Sequence, residues 1–462
     1  MTKHLGTVVL VTWLGAGSAA AQSAPNLDAF LRGVPAGQPT AVPLHLTLAD
    51  AVQRGLANNL GALLEEQRVR AAEGSRWRAL SELLPHVTAN LRQSAQVVNL
   101  AAFGFTGFAG LPQIIGPFGV FDARIGVSTP LFDATALGDL RADTASLHAE
   151  EHAYANAREL VILAVANLYL ETLADASRVE AARSQVVTAE ALARLAEDER
   201  ASGMVAGIDV LRQQVQLEAA RQRLIVAQNA LDKQRLNLAR AIGLPPAQSI
   251  ELADTVPYAP APPLTLEGAT AEALIHRADL KGAEARAEAA RAARQAAVGG
   301  ALPTVRLDAD YGALGSSVSA AKQTYTVAAD VRIPIFEGGE TRGKVRQADA
   351  ALRQREAELA ELKAGIQFEI AAALLDVTAA EAAIGVARHG EALARQQLDQ
   401  VQDRFRAGIA STIELVQAQE ALAAASDAYI ASLYGHNVAK ATLARALGVV
   451  EERFSSFLGG QR

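Results

Sequence analysis

The sequence predicts a mixed α and β membrane protein, an elongated chain built as two similar halves, each a pair of short strands followed by a pair of very long coiled-coil helices. Three observations predict this. Apolar residues recur every seven positions over runs several times the length of a globular helix, the period drops to two over about ten residues before each run, and motifs of the first half return in the second.

Composition sets the outer bounds. Half of the 462 residues are apolar and only 5% are aromatic, and alanine mixed with Leu, Glu, Gln and Arg fills long stretches, which is the composition of long helices. The formal charge is −7, and basic residues alternate with acids along the predicted helices, which argues against nucleic acid as a partner. There is no cysteine, which excludes a disulfide framework and the acylated N-terminal cysteine of a lipoprotein anchor.

Lys3 and His4, the apolar run from Leu5 to Leu14 and the small residues ending in Ala19-Ala20-Ala21-Gln22 predict a secretory signal peptide over 1–21, cut after Ala21. No later segment approaches the roughly 18 uninterrupted apolar residues of a membrane helix. If a membrane holds the mature chain, strands must do so.

Residues 22–45, rich in Pro, Gly and Ala, read as an extended leader. The first half then runs over 46–242 and the second over 264–449, with a tail at 450–462. Leu46-Thr47-Leu48 returns as Leu264-Thr265-Leu266, Leu84-Pro85 as Leu302-Pro303, Pro130-Leu131-Phe132 as Pro334-Ile335-Phe336, and Ala241-Ile242-Gly243-Leu244 as Ala446-Leu447-Gly448-Val449. The later matches sit about 14 positions closer together than the earlier ones, which places a loop insertion in the Gly- and Phe-rich stretch 101–119. Between the halves, 243–263 carries Pro245, Pro246, Pro257, Pro260, Pro262 and Pro263, a linker no helix crosses.

Strands are predicted at about 86–98, 121–131, 304–312 and 325–335. Val87, Ala89 and Leu91 alternate with Thr88, Asn90 and Arg92, and Val305, Leu307, Ala309 and Tyr311 with Arg306, Asp308 and Asp310. Each strand has the length that crosses a bilayer when tilted, although a small soluble sheet on a helix has the same pattern. Four strands cannot close a barrel, and open edges are not tolerated in lipid, so a membrane sheet must be completed by other copies.

Long helices are predicted at about 139–199, 209–242, 341–405 and 412–447. Leu140, Leu147, Tyr154, Val161 and Leu168 fall seven apart, and Val345, Leu352, Leu359, Ile366 and Ala373 repeat the stripe. The run from Thr341 to Phe405 has no proline, and as one helix it spans roughly 100 Å.

With these features the chain resembles the TolC-like outer-membrane efflux protein family (outer membrane factors) over essentially its whole mature length. The residues that carry the resemblance are the duplication, the junctions Pro130-Leu131-Phe132-Asp133 and Pro334-Ile335-Phe336-Glu337-Gly338-Gly339, and the turn Phe405-Arg406-Ala407-Gly408-Ile409-Ala410-Ser411. The resemblance implies a homotrimer with a 12-stranded transmembrane β-barrel, four strands per chain, continued by a helical coiled-coil barrel through the periplasm. It implies a passive exit duct from periplasm to exterior in a tripartite efflux or secretion system, seated in outer-membrane lipid, with a periplasmic adaptor (membrane fusion) protein and an inner-membrane pump as partners.

The resemblance also assigns sites. The helix tips, Gly203, Met204, Val205 and Gly207 in the first half and Gly408, Ile409, Ala410 and Ser411 in the second, would dock the adaptor; the glycines serve equally as helix C-caps. Asp209, Phe405, Glu414 and Gln417 would form the periplasmic gate. Glu414 matches an acidic ring position, and Gln417 stands one turn on where a second acid is common. Ser411-x-x-Glu414 is also a capping box, and Asp209 suits a first helical turn. Phe405 lacks the hydroxyl that would bond to the acid at Asp209, and Ala410 stands at the position of a bridging arginine, so closure here would rest on packing. Pro130, Phe132, Pro334, Phe336, Gly338 and Gly339 form the strand–helix junctions.

No phosphate loop, catalytic constellation or metal-spaced histidine pair is present, so no enzyme activity, cofactor or metal is expected. The reading from another functional class is a structural coiled-coil protein of the envelope that transports nothing.

Overall fold

The computed structural model describes residues 30–104, 112–254, 258–407 and 409–453. The signal peptide, the middle of the 101–119 insertion, Pro257, Gly408 and most of the tail lie outside the described residues.

The elements follow one order twice. Helices α1 (Leu48–Asn58) and α2 (Leu60–Ser81) lead to strands β2 (His86–Asn99) and β3 (Ile114–Phe132), then to helices α3 (Ala134–Ala201) and α4 (Gly207–Ala241). Helices α5 (Leu266–His276) and α6 (Ala278–Gly299), strands β5 (Thr304–Gly315) and β6 (Lys322–Arg332), and helices α7 (Glu340–Arg406) and α8 (Thr412–Ala446) follow. Helix lengths of 11, 22, 68 and 35 residues are answered by 11, 22, 67 and 35.

Two further short strands, β1 (Leu44–Leu46) and β4 (Ile250–Leu252), pair in parallel, so the leader and the Pro-rich linker are tied side by side. The sequence predicts extended chain at both. The four shorter helices are not among those the sequence predicts, although Thr47 and Asp50 form a capping box that marks the start of α1.

Strand β5 runs on to Gly315 and β6 begins at Lys322, each three residues outside the expected bounds, and the start of β3 and the end of β6 differ as well. Strand β3 begins at Ile114, seven residues before position 121, because its first part pairs with the end of β2 in the hairpin. Strand β6 ends at Arg332. Pro334 follows two residues later and has no N–H to give to a ladder, so 334–339 leave the sheet as irregular chain.

The sheet order is β2-β3-β5-β6, antiparallel throughout. Its register places His86, Ser128, Asp308 and Ala328 in one row and Asn90, Arg124, Gly312 and Thr324 in another, while Val87, Val127, Ala309 and Val327 align on the opposite face. The period-two pattern of each strand therefore sums to one polar and one apolar face. Val87, Leu91, Ile125, Val127, Tyr325, Val327 and Val331 of the apolar face are exposed, and within the described residues β2 and β6 each keep one edge without a strand partner.

The core lies midway along the long helices, where the short helices and β1–β4 wrap them. Val161, Ile162, Val165, Tyr169 and Leu170 of α3 meet Ile366, Ile370, Ala373 and Val377 of α7, with Leu238 of α4 and Leu443 of α8. The seven-residue stripe is thus buried at Val161, Ile366 and Ala373 but only half-buried at Leu140 and Leu147, nearer the sheet. The Tyr169 hydroxyl donates to the Leu46 carbonyl and the Asp254 carboxylate, at 2.8 Å each, fixing both ties to α3.

A buried ionic cluster joins the halves. Arg277 donates to Asp279, to Glu369 on α7 and to the Ala446 carbonyl, and Arg445 reaches Glu159 on α3 at 3.3 Å. Burial pushes the Glu159 carboxyl up to about 7, against the pull of Arg445. Helices α3 and α7 each contain an 18-residue window long and apolar enough to cross a membrane by composition; in α3 half of that window is buried against the protein.

Candidate functional site

Each pair of long helices turns within a few residues at the end remote from the sheet. The first turn is a Schellman motif: Gly203 takes φ +78°, its N–H donates to the Arg200 carbonyl at 3.0 Å, and the Met204 N–H donates to the Glu199 carbonyl at 2.8 Å. The corresponding bond of the second turn runs from the Ile409 N–H to the Arg404 carbonyl at 2.9 Å. Gly207 has no left-handed backbone and is the first residue of α4, so of the expected turn glycines within the described residues only Gly203 meets a conformational demand. Gly408 lies outside the described residues.

Met204 and Ile409 are exposed at the tips, and Val205 is half-buried. Ile208 and Ile413, also exposed, stand just beyond them at the starts of α4 and α8. This last pair is not among the tip residues the sequence predicts. In the sequence Gly203–Leu211 recurs as 408–416, with an isoleucine at the sixth position of each copy, which is the signal available.

The residues expected at the gate divide into two groups. Phe405 is 3% exposed and packs with Leu192 and Leu195 of α3, Leu398 and Val401 of α7, and Leu415, Ala418 and Leu422 of α8, with Ala410 against the same cluster. The ring therefore sits among aliphatic side chains of both hairpins. Asp209 instead accepts from Arg212 of its own helix at 3.0 Å.

Glu414 is held locally. Its carboxylate accepts from the Ser411 N–H and hydroxyl at 3.2 Å, the Ser411 hydroxyl accepts from the Glu414 N–H at 3.3 Å, and Arg404 lies 3.5 Å away. The Ser411 backbone bond, then its hydroxyl, keep the Glu414 carboxyl below its ordinary value. Gln417 is exposed one turn on. Deeper in the first hairpin Gln213 is fully buried with both amide atoms lacking a partner, and burial raises the Glu199 carboxyl.

The strand–helix junctions are built differently in the two halves. Pro130 and Phe132 belong to β3, with a pairing irregularity between them, and Asp133 caps α3 by accepting from the Ala136 N–H at 3.0 Å. In the second half Pro334 and Phe336 lie outside the sheet, Gly338 and Gly339 take φ +63° and +93°, and Gly339 caps α7 without a side-chain bond. Ile335 and Phe336 are 94% and 90% exposed.

The fold is a sheet with two unpaired edges among the described residues, continued by two pairs of very long helices. Residues 51–244 and 269–449 match the family Outer membrane efflux protein, and the chain belongs to it. It is 28% identical over 418 residues to the pyoverdine export outer membrane protein OpmQ of Pseudomonas aeruginosa, covering 87% of this chain and 85% of that one. Protein CyaE of Bordetella pertussis is 26% identical over 63% of this chain and 62% of its own. Among solved structures, VceC of Vibrio cholerae superposes with a TM-score of 0.76 at 20% identity, over 87% of this chain and 96% of that one. The CmeC channel of Campylobacter jejuni gives a TM-score of 0.76 at 17% identity, over 87% and 85%. At these identities the structural likeness establishes the fold, and the family match establishes an efflux channel component of the outer membrane.

Proposed function

We propose that three copies close into one passive duct, twelve strands forming the barrel in the outer membrane and the helices a tunnel through the periplasm. The sheet carries this reading. Its polar face suits a water-filled bore and its apolar face suits lipid, and edges β2 and β6 can be satisfied in a bilayer only by other copies. Exposed Phe132, Ile335 and Phe336 at the junctions suit the boundary between lipid and periplasm.

The helices offer matching seams. On α4, Ile208, Val215 and Leu236 share one heptad position and Leu211 and Ile225 another, all exposed; on α7, Phe368 and Leu375, then Val386 and Leu393, are exposed seven apart. Apolar heptad stripes on a helix surface are covered by partner helices. A second copy laying its α7 against this α4 makes a head-to-tail contact, which closes into a ring.

In this reading solute enters at the tips and leaves through the barrel. The chain supplies a path, and a periplasmic adaptor and an inner-membrane pump supply loading and energy. Met204, Ile208, Ile409 and Ile413 would give the adaptor an apolar purchase at the tips. The exporter roles in the names of OpmQ and of the toluene efflux pump outer membrane protein TtgF of Pseudomonas putida support an exit duct, and their different cargoes leave the cargo to the pump.

Purified protein in a planar bilayer tests the reading: discrete conductance steps from a complex of three chains are expected. A folded complex that conducts no ions would leave the rival reading, a structural coiled-coil protein.

A further inference from the structure

The polar face of the sheet is divided by charge along its length. Arg92, Asp122, Leu314 and Lys322 share one row, the farthest from the long helices that crosses all four strands. One row nearer the helices, Arg124 reaches Asp122 at 2.7 Å and Asp310 at 3.1 Å, so one guanidinium occupies both carboxylates. Next come Asp308, the Arg306–Asp330 cross-strand pair and Arg332.

Arg92 and Lys322 share three properties with Arg332, at the helix end of the face, and differ from it in lying at the far end. Both are exposed, both lie on edge strands, and among the described residues neither joins an ion pair. Beyond them the sequence is uncharged, from Val97 through Phe121 on one side and from Leu314 through Ala321 on the other. Arg124 offsets one of the two carboxylates it touches, so the three cations Arg92, Arg124 and Lys322 against Asp122 and Asp310 leave the far end of the polar face at +1 in a chain whose formal charge is −7.

We propose that Arg92 and Lys322 form an anion-attracting collar at the exit of the bore, specific for solutes bearing carboxylate, phosphate or sulfonate groups. This rests on the three-copy duct described above, in which the polar face lines the bore. There β2 of one copy adjoins β6 of the next, so each seam carries an arginine from one side and a lysine from the other. Two cations from each of three copies focus a positive field across a bore walled by low-dielectric strands. The collar raises the concentration of anionic cargo at the exit and resists return of cations.

The test is block of the single-channel current by inorganic tripolyphosphate added on the barrel side at low ionic strength, where screening is weak. Block of the native channel is expected at concentrations about tenfold lower than for the R92Q/K322Q variant, each single variant falling between. Arg332→Gln, at the helix end of the same face, is expected to keep the native block and serves as the location control. Equal block of native and double-variant channels, or no block of the native channel, would overturn the collar and leave the duct standing. Absence of current from a folded complex would overturn both.

Discussion

At the scale of single residues, Lys440 is the clearest cost in the molecule. Its side chain is fully buried in α8, and its ammonium donates to the Ala259 carbonyl of the linker at 2.9 Å. His436, one turn earlier, is equally buried with both ring nitrogens lacking a partner, and its ring lies 5.7 Å from that of Tyr258. Burial lowers Lys440 to about 8, with the Glu381 charge opposing, and burial and the Lys440 charge lower His436. The folded chain therefore holds the Lys440 proton less tightly than the unfolded chain does. Its penalty is complete below about 8 and fades as pH rises to 10.5. Relative to Lys440→Met, the native protein is expected to gain about 3 kcal/mol across that window, read from urea unfolding at several pH values. A stability difference that does not change with pH would contradict it. Nothing in the helical pattern announced this pair, because Lys440 is buried by a linker that crosses α8 from 181 residues away.

At the scale of elements, the long helices and the four strands were legible because each writes its own periodicity, seven or two, over many residues. The recurring Ala-Ile-Gly-Leu and Ala-Leu-Gly-Val motifs have a local reason too. Gly243 and Gly448 adopt φ +70° and +72°, and each closes a Schellman bond, from the Leu244 N–H to the Ala239 carbonyl and from the Val449 N–H to the Ala444 carbonyl. A side chain at either would strike backbone, the Val34 carbonyl at 2.6 Å or the Arg277 nitrogen at 2.7 Å. At the tips the sequence named Phe405 for the hydroxyl it lacks, and the fold shows that ring inside an aliphatic cluster drawn from both hairpins. Phe405→Ala removes the anchor of that cluster and is expected to cost about 3 kcal/mol locally. If the cluster holds the tips shut, the variant channel shows higher or more frequent open conductance in planar bilayers, while Glu414→Gln changes it little. Unchanged gating in Phe405→Ala would place closure elsewhere.

At the scale of the whole molecule, the exposed heptad stripes of α4 and α7 predict how copies meet. Val215→Glu or Leu375→Glu puts a carboxylate into a seam otherwise made of apolar side chains, and an unpaired charge buried there costs several kcal/mol. Each variant is expected to yield monomers by mass measurement in mild detergent, where the native chain is expected to yield the proposed complex of three. Pairing Val215→Glu with Leu375→Lys is expected to recover part of the complex, if the two stripes face one another. A single variant that stays fully assembled would place those stripes on the free surface.

The sequence by itself determined the long helices, the alternating strands and the doubled order of elements, since these follow from patterns repeated along adjacent residues. Only the tertiary structure decided the register that gathers the charged positions onto one face of the sheet, the pairing of leader with linker, and the buried groups Arg277, His436 and Lys440. These depend on segments brought together from distant parts of the chain, and no local period records which segment will cover which.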